Sequence, residues 1–127
     1  MTYPTQFRYT EAHEWVALEE NQARVGITEY AQGELGDIVF VELPSPGTEV
    51  KKGENLATVE SVKAVSDVYA PVSGKVLEVN TQLESSPEMI NQDPHGAGWL
   101  VLLEASAPPE ADALLDAAGY ERYLAEK

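Results

Sequence analysis

The sequence predicts a mainly β protein, a flattened barrel or sandwich of short antiparallel strands with a few short helices. Turn-forming residues recur at 44–47, 50–53 and 71–74, and strand-length stretches rich in β-formers separate them. Short strands at such close spacing are typical of small sandwiches and barrels. The chain has 127 residues and no linker of Ser, Gly or Pro composition, so we expect one domain over residues 1–127.

The first predicted elements are a hairpin, a helix and a strand. Residues 14–18 and 23–27 are predicted strands on either side of a polar turn. Thr28 is of the type that caps a helix N-terminus, and Gly36 suits the left-handed backbone that ends a helix. A strand is then predicted at 37–43. Because its central run is apolar at every position, we expect protein to cover both of its faces.

A second hairpin is predicted in the middle of the chain, with Lys63 at its tip. Strands at 56–60 and 65–70 run in opposite directions, and the turn glycines Gly53 and Gly74 lie at the far end. At ~3.3 Å per strand residue, the tip lies roughly 17 Å from those turns. The neighbours of Lys63 are acidic or small, which leaves its amine as the only cation of this hairpin. The pattern indicates a lysine that is presented to solvent rather than packed.

The last third of the chain carries helix signals around one strand. Residues 86–87, Ser-Pro, are typical of a helix start, 91–98 of a loop and 99–103 of a buried strand. A helical tail is predicted over about 108–127, where a Pro-Pro pair opens one short helix and Asp116 can cap another. The apolar stripe of that last helix comprises Tyr120, Tyr123 and Leu124.

Composition and charge exclude several functional classes. With 8 basic and 22 acidic residues the net charge is −14, so we expect no binding to nucleic acid or anionic membranes, which need a basic patch. The absence of cysteine excludes disulfides, thiolate metal sites and a Cys nucleophile, and His13 and His95 lack the paired spacing of a zinc site. No apolar run approaches the ~18 residues of a membrane span, and the opening residues lack a targeting pattern. We therefore expect a cytoplasmic protein without a metal.

Residues 60–74, ESVKAVSDVYAPVSG, resemble the lipoyl-lysine hairpin of the glycine cleavage H-protein family. The resemblance continues on both sides in the same order and spans nearly the whole chain. Its further blocks are HEWV at 13–16, VGITEYAQ at 25–32, LGDIVFVELP at 35–44, NQDP at 91–94, GWL at 98–100 and LLD at 114–116. One departure is His95, where the family pattern usually shows Tyr. The implied fold is the lipoyl-type barrel-sandwich hybrid, with the lipoyl hairpin at about 54–74.

The resemblance implies that the amine of Lys63 carries lipoate as an amide and that the chain is a carrier, not an enzyme. The arm of such a carrier takes the aminomethyl group of glycine from a pyridoxal-phosphate glycine decarboxylase to a tetrahydrofolate-dependent aminomethyltransferase. Dihydrolipoamide dehydrogenase then reoxidises the arm, and lipoate-attaching enzymes are further partners. Glu14 and Asp67 are implied beside a cleft that shields the loaded arm, where carboxylates bind its cationic amine. We expect a monomer, because docking to successive enzymes favours weak, fast contacts.

Other functions fit these residues less well or stay open. Biotinyl carriers place Met on both sides of the lysine, whereas Val62 and Ala64 flank Lys63 here. A free-standing lipoyl domain for a 2-oxoacid dehydrogenase, or a carrier that relays lipoate to other enzymes, stays open. An enzyme using Ser61 with Lys63 is disfavoured, because a turn splays the two side chains and no oxyanion-hole motif accompanies them. A pure interaction module would explain the acidic surface but not the presented lysine.

Overall fold

The computed structural model describes residues 3–106 and 108–126 of the chain. The strands in these ranges are β1 (Arg8–Tyr9), β2 (Glu14–Glu19), β3 (Gln22–Ile27), β4 (Ile38–Glu42), β5 (Glu49–Val50), β6 (Asn55–Ser61), β7 (Val65–Tyr69), β8 (Gly74–Val79) and β9 (Val101–Ala105). The helices are α1 (Glu29–Leu35), α2 (Gln82–Ser85), α3 (Met89–Gln92), a 3₁₀ helix (Pro108–Ala113) and α4 (Ala117–Ala125). None of these described helices is long and apolar enough to cross a bilayer.

The strands form two antiparallel sheets, which confirms the predicted mainly β fold as a flattened barrel-sandwich. One sheet has six strands in the order β1-β2-β3-β9-β8-β5, and the other has three in the order β4-β6-β7. The two predicted hairpins are β2–β3 and β6–β7. Buried side chains of both sheets belong to one core, among them Val25 and Val101 of the larger sheet and Val59 and Val68 of the smaller. Removing this apolar surface from water is the main driving force for closing the two sheets on each other.

Local capping signals place α1 and α4 where the sequence predicts them. The Thr28 hydroxyl accepts a hydrogen bond from the N–H of Ala31 at 3.2 Å, and α1 ends at Gly36 with φ +81°. The Asp116 carboxylate accepts from the N–H of Gly119 at 2.7 Å at the start of α4. Each cap satisfies a backbone donor that the first turn of a helix leaves without an internal partner.

The expectation that protein covers both faces of the strand at 37–43 is wrong. Val39 and Phe40 are 50% and 53% exposed, whereas Ile38 and Val41 are buried. The pairing of β4 with β6 shifts register between Ile38 and Phe40, and such a bulge re-aims neighbouring side chains. Because β4 lies at the edge of the three-stranded sheet, the two side chains turn outward.

The helix signals between residues 82 and 98 are only partly right. Helix α3 begins at Met89, and Ser86 contributes its backbone carbonyl, which accepts from the N–H of Met89 at 3.1 Å, instead of a side-chain cap. Helix α2 was not predicted, and α3 occupies the first two residues of the predicted loop 91–98. Both helices are one turn long and bury one residue each, Leu83 and Ile90. Tertiary burial, not local propensity, therefore stabilises them.

A cluster of aromatic side chains docks α4 against the first two strands. Tyr9 and Tyr120 stack with ring centroids 4.9 Å apart, and both are fully buried. The Tyr120 hydroxyl lies 2.7 Å from the Thr28 hydroxyl and 2.8 Å from Nδ1 of His13. Tyr9 also forms an isolated bridge with Leu115, just before α4. The C-terminal helix is thereby attached to residues near the start of the chain.

His95, in the predicted loop 91–98, accepts a hydrogen bond from the start of α1. Its Nε2 accepts a hydrogen bond from the N–H of Glu29 at 3.1 Å, so Nε2 carries no proton in this arrangement. The ring also packs 5.5 Å from that of Tyr3. Burial lowers the pKa of His95, while the carboxylates of Glu29 and Asp93 oppose that shift. The neutral imidazole is therefore the form that caps the helix.

We expect His95 to make stability fall as the pH falls from about 6.5 through the lower pKa of the folded state. The unfolded chain takes up this proton at the higher pH, and protonation both ends the bond to Glu29 and places a cation at the positive end of α1. The melting temperatures of the wild type and His95→Tyr, measured between pH 7.5 and 5, test this. Between pH 7.5 and pH 5 the melting temperature of the wild type should fall further than that of His95→Tyr, by on the order of a few degrees. Parallel losses in the two proteins would contradict the assignment.

Candidate functional site

Lys63 lies at the tip of the β6–β7 hairpin, in the turn formed by residues 62–64. Glu60 and Val65 form the last strand pair before this turn, and the Lys63 side chain is exposed. The opposite end of the hairpin is closed at Gly53, whose φ is +90° and whose N–H donates to the carbonyl of Ala70 at 2.8 Å. The two-strand geometry therefore holds the lysine away from the hairpin base.

Ser61 stabilises the turn that carries the lysine. Its hydroxyl oxygen accepts from the N–H groups of Lys63 at 3.3 Å and Ala64 at 3.0 Å, and the hydroxyl donates to the Ala64 carbonyl at 3.2 Å. The N–H of the next residue, Val62, donates to the carbonyl of Asp37 at 3.0 Å and ties the turn to the start of β4. Ser61 is 7% exposed. Its role is thus to hold the backbone of the turn, which leaves no support for the Ser61–Lys63 enzyme hypothesis.

The stem of the Lys63 side chain passes over Gly36, at the end of α1. A methyl group built on Gly36 would lie 3.3 Å from Cε of Lys63 and 3.9 Å from its Nζ. Gly36 also has a φ of +81°, which L side chains rarely adopt. Its carbonyl accepts from the side-chain amide of Asn91 at 2.8 Å. Glycine at position 36 therefore does two things. It adopts the backbone conformation that ends α1, and it leaves room for the Lys63 side chain.

Glu14 is a buried carboxylate held by two donors. The Thr10 hydroxyl donates to Oε1 at 2.6 Å, and the N–H of Tyr69 donates to Oε2 at 3.1 Å. The side chain is 3% exposed. Burial raises the pKa of Glu14, and these two hydrogen bonds offset part of that shift because they favour the charged form. Two strands create this environment. Glu14 is the first residue of β2, and Tyr69, which donates to it, is the last residue of β7.

Glu14 opens onto a cavity of about 610 Å³ between the hairpin base and the C-terminal segment. The wall is mostly apolar, with Lys52 as its one basic residue among the described residues. The lining residues are Tyr9, Thr10, Glu11, Ala12, Glu14, Lys52, Gly53, Tyr69, Ala70, Pro71, Ala113, Leu114 and Leu115. An apolar pocket with few convergent polar groups is the usual form of a ligand-binding cleft.

Asp67 lies outside this cavity, on β7 between Lys63 and Tyr69. Its carboxylate is exposed, and the Thr58 hydroxyl donates to it at 3.4 Å. Side chains alternate along a strand, so Asp67 and Tyr69 leave the same face of β7. The structure thus brings Glu14 and Tyr69 together, and places Asp67 on the path along the strand that leads from Lys63 to the cavity.

Three residues of the site, Thr10, Lys52 and Tyr69, were not predicted from the sequence. Tyr69 lies two residues after Asp67 on the predicted strand, so the alternation of side chains could have placed Tyr69 on the same face as Asp67. Thr10 lies only four positions from Glu14, but no motif marked it, and the nearness of Lys52 to Tyr69 depends on closure of the hairpin base. Within residues 3–106 and 108–126, no three His, Cys, Asp or Glu side chains gather in a way that could hold a metal ion.

These residues fit a covalently attached acyl arm ending in a cationic cargo. The exposed amine of Lys63 is free of the core and can be acylated, and the apolar wall of the cavity suits a hydrocarbon chain. The carboxylate of Glu14 suits an ammonium group, because charge-assisted hydrogen bonds are stronger in a site shielded from water. The geometry therefore supports attachment at one end of the hairpin and shielding at the other.

Comparisons with known proteins match almost the whole chain. The family model described as glycine cleavage H-protein matches residues 7–127. The glycine cleavage system H protein of Symbiobacterium thermophilum is 58% identical over 123 residues, covering 97% of this chain and 96% of that protein. The H protein of Thermotoga maritima is 53% identical over 120 residues, covering 94% and 97%. A crystal structure of an H protein from Mycobacterium marinum superposes with a TM-score of 0.87 at 41% identity, covering 98% of each chain.

Proposed function

Because the chain belongs to the glycine cleavage H-protein family, which consists of non-catalytic lipoyl carriers of the glycine cleavage system, we propose that Lys63 is its lipoylated residue. The observation that supports this most directly is the turn at residues 62–64. Ser61 holds its backbone through three hydrogen bonds and leaves the lysine amine exposed at the hairpin tip. A modifying enzyme can reach such an amine without unfolding the hairpin.

Lipoate supplies, when bound, the disulfide that accepts a one-carbon group and two electrons, which this cysteine-free chain lacks. The chain itself supplies position and shielding. Ser61 fixes the start of the arm, and Gly36 leaves space beneath the lysine stem. Acylation also removes the charge of Lys63, so the net charge changes from −14 to −15.

The cavity beside Glu14 is proposed as the cleft that shelters the aminomethyl cargo. Its mostly apolar wall suits the arm, and the Glu14 carboxylate binds the cationic amine while Thr10 and Tyr69 hold the carboxylate in place. Asp67 is proposed as a second carboxylate on the route between Lys63 and this cavity. Its exposure suits a transient contact during entry and exit.

The proposed partners are the enzymes that use this carrier in turn. They are the pyridoxal-phosphate glycine decarboxylase, the tetrahydrofolate-dependent aminomethyltransferase, dihydrolipoamide dehydrogenase and a lipoate-attaching enzyme. The proposal includes a cytoplasmic, monomeric carrier whose acidic surface steers these transient encounters. Encounter rates should then fall as ionic strength rises, since salt screens exposed charges beyond roughly 10 Å at 0.1 M.

The proposal treats residues 1–127 as one carrier domain, with a lipoyl hairpin over about 54–74 and a helical tail over about 108–127. Two contacts between distant segments support this. Strand β3 pairs with β9, and Tyr9 pairs with Leu115. The tail also supplies Leu114 to the wall of the cavity. The segments that flank the hairpin therefore contribute to the proposed shielding function.

Mass spectrometry with a lipoate–protein ligase, ATP and lipoate tests the attachment site. We expect the intact mass to rise by one lipoyl group, and peptide mapping to place it on Lys63 because that amine is the one presented by the hairpin. The modified protein should then support glycine decarboxylation by a purified glycine decarboxylase. Modification at Lys51, Lys52 or Lys75 instead would refute the assignment, and failure with the decarboxylase would favour a 2-oxoacid dehydrogenase partner.

A further inference from the structure

The tip of the hairpin and the adjoining edge of β4 expose four large apolar side chains. Val62 and Val65 are 69% and 64% exposed, and Val39 and Phe40 are half exposed. We call these four residues the apolar patch. Most soluble proteins keep exposed apolar groups scattered, so a contiguous group of this kind marks a contact surface. Neither the turn that presents Lys63 nor the cavity beside Glu14 uses these side chains.

Strand register makes the apolar patch contiguous. Phe40 pairs with Glu60 across β4 and β6, and Glu60 pairs with Val65 across β6 and β7. Side chains directly opposite each other in neighbouring strands lie ~5 Å apart, so Phe40 and Val65 flank Glu60 on one face. The hydrogen bond from the Val62 N–H to the Asp37 carbonyl joins the turn to the start of β4. The patch therefore lies beside the turn that carries Lys63.

Apart from Lys63, the charged side chains around the apolar patch are acidic. Glu60 lies within it, and the next row of the same sheet face carries Glu42 and Asp67, both exposed. Lys63 is the one Lys or Arg in β4, β6, β7 and the turn at 62–64. A complementary partner surface is apolar at its centre and bordered by Lys or Arg side chains, because like charges facing each other would oppose docking.

We propose that the apolar patch is the docking surface for the enzyme that acylates Lys63, an inference that rests on the proposed lipoylation of this residue. Before acylation the amine ends only four methylenes from Cα. The acylating enzyme must therefore approach the backbone of the turn closely and cover Val62, which precedes the lysine, and Val65, which begins β7 just after the turn. Enzymes that act on the much longer finished arm have no such requirement. The patch is thus buried while Lys63 is being acylated, and later enzymes that use the finished arm do not need to cover it.

Acylation kinetics with a purified lipoate–protein ligase test this docking surface. Phe40→Ser and Val65→Thr should each lower kcat/KM for the unmodified carrier by about tenfold, mainly through KM, because a buried aromatic or branched side chain stabilises a contact by about that factor. Direct titration of the unmodified carrier with the ligase should show the same loss of affinity. Leu102→Thr, on the other sheet, serves as the apolar control and should leave both values unchanged.

A charge variant distinguishes electrostatic steering of the ligase from apolar contact in the complex. Glu60→Gln should slow association with the ligase at low salt and weaken its salt dependence, whereas Glu78→Gln, an exposed strand glutamate of the other sheet, should do neither. Circular dichroism melts of all variants identify any loss of folding. Because Phe40 and Val65 are exposed, their substitution should leave the melting temperature close to that of the wild type.

Three outcomes would overturn the docking proposal. Unchanged kcat/KM and affinity in Phe40→Ser, with the wild type acylated at Lys63, would reject the patch and leave the lipoylation site intact. A wild-type dimer that dissociates in Phe40→Ser while acylation is unchanged would assign the patch to self-association. A wild type that is not acylated at Lys63 would reject the proposed function as well as the docking surface.

Discussion

We expect Lys63→Arg to fold like the wild type and to lose both lipoylation and the ability to support glycine cleavage. The side chain is exposed, so the free energy of unfolding should change by less than about 0.5 kcal/mol. Arginine keeps the positive charge but its guanidinium stays protonated and does not form the amide. Intact mass after incubation with ligase, ATP and lipoate should show no added group, and carbon dioxide release from glycine should fall to background.

Two matched variants control this experiment. Lys52→Arg and Lys75→Arg make the same change at lysines outside the turn, and both should remain fully acylated. The turn itself is held by Ser61 and by the bond from the Val62 N–H to the Asp37 carbonyl, neither of which involves the lysine side chain. A Lys63→Arg protein that still supported glycine cleavage would show that the carrier function depends on another residue.

We expect Glu14→Gln to release the aminomethyl group from the loaded carrier on the order of tenfold faster than the wild type. The substitution keeps the size of the side chain and an acceptor for the Tyr69 N–H, but removes the charge that binds the cationic amine. A hydrogen bond to a charged group contributes about 1.5–3 kcal/mol, which corresponds to a factor of ten or more in rate. Loss of the group is measured as formaldehyde or ammonia released from the isolated, loaded carrier.

The pH dependence of this release provides a second readout. Burial raises the pKa of Glu14 above its usual value, so its carboxylate becomes neutral as the pH falls through that higher pKa. The ratio of the Glu14→Gln rate to the wild-type rate should therefore be large at pH 8 and approach one in acid. Glu11 lines the same cavity but is exposed to solvent, so Glu11→Gln should release the group at the wild-type rate. Equal rates for Glu14→Gln and Glu11→Gln would remove Glu14 from the shielding role.

The parts of the fold that were predicted correctly depend on interactions between residues close in sequence. Thr28 and Asp116 cap helices because their side chains bond to N–H groups three residues ahead. The hairpin with Lys63 at its tip follows from the alternation of strand residues and from the turn glycine Gly53, whose positive φ turns the chain just before β6. These preferences act in a short peptide segment, so a pattern in the sequence reveals them.

The errors concern burial, which depends on partners brought from elsewhere. The run Ile38 to Val41 is uniformly apolar, yet Val39 and Phe40 face solvent because β4 is an edge strand with a bulge. Helix α2 carries little local signal and depends on the burial of Leu83 in the core. His95 was predicted only as a loop residue, and its bond to the first N–H of α1 joins segments 66 positions apart.

An exposed lysine at a hairpin tip, in an acidic chain without cysteine, could be read directly from the residues, because turn chemistry, strand alternation and composition are local properties. The burial of Glu14, its place on a cavity and the apolar patch beside the Lys63 turn depend instead on contacts between distant segments. A buried carboxylate requires donors, and those of Glu14 include the N–H of Tyr69, 55 positions away. The burial of Glu14 therefore depends on how distant strands are placed in the fold. The residues next to Glu14 in the chain do not reveal it.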